Sequence, residues 1–142
     1  MRGQVIYVIH HLRSEERNMV AQILEDYPMR ILWQQFTDGL LTFRHYGVDM
    51  GDGTVVHFCG DRNYIQQEAW IKRSCLVDFC AGACPHQARE VRYCFAPETV
   101  VRRAMSQVGG NFGGYNFLLN NCEHFANWCA CGKKISRQVM MR

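Results

Sequence analysis

A cysteine in the first turn of a helix sits where unpaired backbone N–H groups and the helix dipole favour negative charge, so its thiol is a candidate nucleophile. Cys122 has that position. Asn121 suits a cap, the run from Cys122 to about Cys131 reads as a helix, and Gly132 is its C-terminal stop. A thiol nucleophile needs a base to take its proton, and imidazole suits that task near neutral pH. His45 and His57 lie on the two arms of a predicted hairpin, LLTFRHYGVDMGDGTVVHFCG, in which two β-rich runs flank Gly-Asp-Gly. If the imidazoles face each other directly, the pairing is centred on Gly51 and the loop is odd, for example three residues with a left-handed glycine. A two-residue turn would send them to opposite faces. On a shared face one imidazole can accept the Cys122 proton while the other fixes its orientation and tautomer. The competing reading is an inert core thiol and two half-buried strand histidines.

Other titratable residues carry less. His124 follows Cys122 by two positions, about 200° round the helix, and reads as structural. Glu123 reads as support for the helix N-terminus. His10, His11 and His86 have no evident partner. Cys75, Cys80, Cys84, His86 and Cys94 offer zinc-type donors, but no pair of CxxC knuckles is present, and Cys129 and Cys131 are too close together for a usual pair. Neither a metal nor an organic cofactor is expected.

The elements that must position these residues follow from periodicity. Residues 4 to 12 read as a strand or extended arm. A helix from Ser14 to about Asp26 has Met19, Val20, Ile23, Leu24 and Tyr27 on its apolar face and stops at Pro28, and Ile31 to Phe36 is apolar without a clear period. Residues 1 to 35 are therefore taken as an N-terminal extension packed on a core domain of residues 36 to 142. After a polar loop from Asp61 to Trp70, Ile71 to Phe79 and Glu90 to Phe95 read as strands, with a glycine and cysteine turn between them. Pro97 opens a helix with Val100, Val101, Ala104, Met105 and Val108 on one face, ended by Gly109 and Gly110. GGNFGGYNFLL lacks the Lys-Ser/Thr ending of a phosphate loop. The class is α+β, an antiparallel sheet against helices.

Composition bounds the function. The 142 residues are 48% hydrophobic and 20% charged, which fits one folded domain with its own core. The formal charge is only +3 and the basic residues are scattered, so nucleic acid is not indicated. GQVIYVIHHL is too short to span a bilayer and lacks a signal cleavage site, and no other run approaches membrane length. Eight cysteines without an export signal predict free thiols in a reducing, cytoplasmic setting. Peripheral contact with a membrane surface stays open.

HYGVDMGDGTVVHF and NNCEHFANWC, in that order, with VVRRAMSQVG and YNFLL between them and ISRQV after, closely resemble the lecithin retinol acyltransferase family over about residues 36 to 139. That family includes small phospholipase A/acyltransferases, and its fold is viewed as a circular permutation of the NlpC-type, papain-like peptidases. The resemblance implies His45 as general base, His57 as third catalytic residue and Cys122 as nucleophile. It implies an acyl-enzyme thioester formed from a glycerophospholipid ester, with Tyr46, Phe43, Trp128 or Phe117 lining an apolar substrate trough. Two alternatives stay open, the first from the permuted NlpC-type relatives and the second from similar modules in bacteria and in picornaviral non-structural proteins. One is a peptidase or amidase, marked by polar subsites. The other is a silent interaction module, marked by a Cys122 that iodoacetamide modifies no faster than the other cysteines.

Overall fold

The computed structural model describes residues 1–11, 42–60, 68–115 and 120–136. The expected helix at 14–26 and the apolar stretch at 31–36 lie outside them. The arm at 4–12 forms strand β1 (Val5–His11), and the hairpin arms form β2 (Thr42–Asp49) and β3 (Thr54–Cys59). Gly47 pairs with His57, Val48 with Val56 and Asp49 with Val55, and the Met50 N–H donates to the Thr54 carbonyl at 3.0 Å. Three residues remain in the turn, with Gly51 and Gly53 left-handed at φ 79° and 87°.

The odd loop puts both histidines on one face, but the pairing is centred on Asp52 instead of Gly51. His57 therefore stands opposite Gly47, and His45 lies one diagonal step away, within reach of a ring-to-ring contact. Gly47 is required for packing: a Cβ there would lie 2.5 Å from Val55 Cγ1 and 2.7 Å from Phe79 Cε1. Gly47→Ala is expected to destabilise the fold by about 1–3 kcal/mol through this overpacking. A urea midpoint equal to wild type would show slack in the hairpin that the contacts do not suggest.

Two expected strands change. Residues 71–79 divide into β4 (Trp70–Cys75) and a short helix α1 (Leu76–Cys80). The Leu76 N–H donates to the Gly53 carbonyl at 2.9 Å, and the chain then turns, which folds Phe79 and Cys80 back over the sheet instead of letting them run on past it. Residues 90–95 form no strand, because their polar groups are used elsewhere. The Cys94 N–H donates to the Ala130 carbonyl at 2.9 Å, and the Tyr93 hydroxyl accepts from the Val5 N–H at 2.8 Å. In the expected turn, β5 (His86–Gln87) pairs with β1.

The five strands form one antiparallel sheet in the order β4-β3-β2-β1-β5. Helices α2 (Pro97–Ser106) and α3 (Cys122–Cys131) cover one face, where Val5, Tyr46, Val48, Val56, Phe58 and Ile71 meet Val100, Ala104, Phe125 and Cys129. Ile6, Val8 and Val55 point the other way, under Phe79 and Cys80 of α1. Met105 and Val108, expected on the buried stripe of α2, are 37% and 39% exposed, because the helix ends at Ser106 and docks through Val100, Val101 and Ala104 alone. The class is α+β. Among the described residues, no helix is long and apolar enough to cross a membrane.

Candidate active site

Helix α3 forms with the expected bounds, and its start is held reciprocally. The Asn121 side chain accepts from the Glu123 and His124 N–H groups at 2.9 and 3.2 Å, while His124 Nδ1 accepts from the Asn121 N–H at 2.9 Å. His124 is thus structural, as its position round the helix suggested. Glu123 is also buried, and the Ser136 hydroxyl donates to its Oε1 at 2.7 Å. Asn121→Ala is expected to cost about 1–2 kcal/mol, read as a lowered thermal midpoint. An unchanged midpoint would mean that docking on the sheet alone holds the first turn.

The cap fixes where the sulfur goes. Cys122 Sγ accepts from the Tyr46 N–H at 3.5 Å and donates to the Arg44 carbonyl at 3.7 Å, the two backbone groups that flank His45. The sulfur thus packs against the main chain on either side of His45, while the His45 ring itself stacks on Phe79.

The His45 ring is anchored on the other side of its imidazole. His45 Nε2 and His57 Nδ1 are 2.8 Å apart, and His57 Nε2 is 2.9 Å from Ser74 Oγ on β4. Phe79 stacks on His45 and meets His57 edge-on, each at 5.2 Å between centroids. Ser74 and Phe79 were missed in the sequence. Neither is near a histidine along the chain, and the only available signal was strand parity, which needs the β3–β4 register (Val55 with Ser74) to be known. One tautomer set makes His45 a base: His45 carries its proton on Nε2 and donates to His57, His57 carries its own on Nε2 and donates to Ser74, and His45 Nδ1 holds the reactive lone pair.

Burial dominates the electrostatics. Cys122 is 1% exposed, and desolvation pushes its thiol pKa far up. The Tyr46 N–H opposes this shift, while the Glu123 carboxylate and Cys59 reinforce it. The stabilisation of a thiolate expected at a helix start is therefore outweighed. Burial also lowers His45 well below its ordinary value, helped by His57, and lowers His57 to about 4, helped by Lys72. At neutral pH the site holds a neutral thiol and neutral imidazoles, which suits proton transfer during attack better than a standing ion pair. It also means that Cys122 should alkylate more slowly than the exposed Cys75, Cys84 and Cys94, so alkylation rate no longer separates an active from a silent site. All eight cysteines are free thiols.

Of the expected trough residues, Phe43 and Tyr46 are 2% and 1% exposed, and the Tyr46 hydroxyl donates to Glu90 Oε1 at 3.0 Å. Trp128 is half-buried, with the Arg103 guanidinium 3.9 Å from its ring centroid and Phe112 at 5.4 Å. Phe117 lies outside the described residues.

Together these features define an α+β domain with a buried thiol at a helix start, set against a strand that carries one of two linked histidines. A family model described as lecithin retinol acyltransferase matches residues 34–135. The chain belongs to the lecithin retinol acyltransferase family. It is similar to phospholipase A and acyltransferase 4 of Homo sapiens, 26% identical over 113 residues that cover 70% of this chain and 68% of that protein. It is also similar to lecithin retinol acyltransferase of Rattus norvegicus, 30% identical over 123 residues covering 68% and 52%, and to phospholipase A and acyltransferase 1 of Homo sapiens, 24% identical over 110 residues covering 68% and 65%. The chain thus spans about half the length of the lecithin retinol acyltransferase it matches. The relatives are named as acyltransferases and phospholipases, which supports enzyme activity for the family.

Proposed function

We propose that the protein is a thiol acyltransferase/phospholipase A that cleaves acyl esters of glycerophospholipids through a thioester on Cys122. The observation that carries this reading is the seat of Cys122 Sγ between the Arg44 carbonyl and the Tyr46 N–H, at the strand position whose imidazole is backed by His57 and Ser74.

As the sulfur attacks the ester carbonyl, His45 Nδ1 takes the thiol proton, and the resulting imidazolium keeps its Nε2–H on His57 Nδ1. Asn121 occupies the Glu123 and His124 N–H groups, so the Cys122 N–H is the helix-start donor for the developing oxyanion. The lysophospholipid alcohol leaves with the proton returned by His45. Water or an amine then attacks the thioester, with His45 again as base, and the free thiol is restored. No step calls for a metal or an organic cofactor.

Peripheral membrane contact is supported by Val77, which is 78% exposed, and by its partly exposed neighbours Leu76 and Trp70, on the α1 side whose Phe79 covers both imidazoles. Intact-mass analysis after mixing the protein with phosphatidylcholine vesicles tests the mechanism. The expected result is one acyl adduct, mapped to Cys122. No adduct with any phospholipid, together with release of product from peptide substrates, would move the site to peptidase chemistry. No adduct and no turnover of either substrate would leave a binding module.

A further inference from the structure

Cys59 follows His57 by two positions on β3, so both side chains leave the same face of the strand. The pairing of β2 with β3 is antiparallel and its last pair is Gly47–His57, so His45 on β2 and Cys59 on β3 both lie just beyond that pair, at the same end of the ladder. One nitrogen of each imidazole and Cys59 Sγ lie within 4.8 Å of one another, and this is the group of three metal-type donors found among the described residues. The cysteines at 75–94 that the sequence offered for zinc do not come together in this way. We propose that His45, His57 and Cys59 bind a zinc-class divalent ion, and that the bound ion blocks the reaction by occupying the base.

The donor set fits such an ion. Thiolate and imidazole are the ligands zinc prefers, and a tetrahedral site with bonds of about 2.0–2.3 Å needs donor atoms about 3.3–3.6 Å apart. His45 Nε2 and His57 Nδ1, now 2.8 Å apart, would open by about half an ångström, and Cys59 Sγ would turn inward from the Gly60 carbonyl it now meets at 3.2 Å. The direct bond between the rings is replaced by two bonds to the metal. Each imidazole stays neutral, its proton residing on the nitrogen that does not hold the ion. Cys59 releases its thiol proton to solvent, and a water fills the fourth position. Binding should therefore tighten as pH rises.

The binding half of this proposal stands on the donor geometry alone, whereas the inhibitory half rests on the acyl-transfer reading above. Chelator-treated protein is titrated with Co2+, read by the thiolate-to-cobalt charge-transfer band, and with Zn2+ in competition with a chromophoric chelator. Wild type should bind one ion with the thiolate band. Cys59→Ala and the size-conserving Cys59→Ser should lose the band and weaken zinc by at least about tenfold, the smaller cost associated with losing even an outer-sphere partner. Zinc should suppress acylation of Cys122 by phosphatidylcholine in wild type. In the Cys59 variants acylation should persist at those zinc concentrations, and should be the same with zinc as in chelator.

A band and affinity unchanged in both Cys59 variants, as binding through exposed Cys75, Cys84 or Cys94 would give, overturns the site. Ion binding through Cys59 with acylation undiminished overturns the inhibition. Binding through Cys59 with no acylation even in chelator upholds the site and instead fells the acyl-transfer reading.

Discussion

Cys122→Ala should form no acyl adduct with phosphatidylcholine, and its release of fatty acid should fall by at least about 10³-fold, since removing a covalent nucleophile disables the residues that act with it. The substitution is mild for the fold. It removes one sulfur from a site where Cys122 makes weak contacts to the Tyr46 N–H and the Arg44 carbonyl, while the Asn121 cap and the buried Phe125 and Cys129 stay in place. A normal circular dichroism spectrum with lost turnover therefore isolates chemistry from folding. Retained adduct in the variant would place the acyl group on another of the eight cysteines and end the assignment.

The second large effect concerns His45. His45→Gln keeps a planar side chain that can still donate toward His57 but cannot accept a proton, so turnover should drop by about 10²–10⁴-fold. The wild-type pH profile carries a separate mark. Burial lowers the His45 pKa well below its ordinary 6.5, so the neutral base persists as pH falls through 6.5, and the acid limb of kcat should lie clearly beneath that value. A limb centred at 6.5 or above would mean that the working base is a solvated imidazole. The same burial makes stability depend on pH. A histidine with a lowered folded pKa contributes stability that is present in full above its unfolded pKa and is lost as pH falls toward the folded one. For His57 that window runs from 6.5 down to about 4, and urea midpoints should decline across it.

Much of this was readable from residue types and spacing. Asn121 and Gly132 bracket α3 because their side-chain chemistry acts locally, within three or four residues, and such signals survive any tertiary setting. The hairpin was legible for the same reason, since Gly51 and Gly53 answer a local backbone demand. Its register was one residue from the expected centre, because which residue opposes His57 is settled by how Gly47 admits Phe79, a contact made across the fold. Residues 76–79 resembled a strand in composition, but they turn into α1 to bring Phe79 over the histidines. Likewise EVRYCF gives its hydrogen bonds to β1 and α3 and joins no strand ladder. At the site, the thiol's place against β2 was open to inference. Its suppressed acidity was not, because desolvation and Glu123 act only once the sheet and helix are docked.

The place of β1 inside the sheet has a practical consequence. The family match begins at residue 34, yet Val5 and Val8, both 0% exposed, belong to a strand whose Val8 pairs with His45 itself. A fragment trimmed to the region of homology would leave the β2 margin beside the imidazole as an open, apolar template for self-association. The segment that shows ancestry and the segment that must fold as one cooperative body are not the same length of chain.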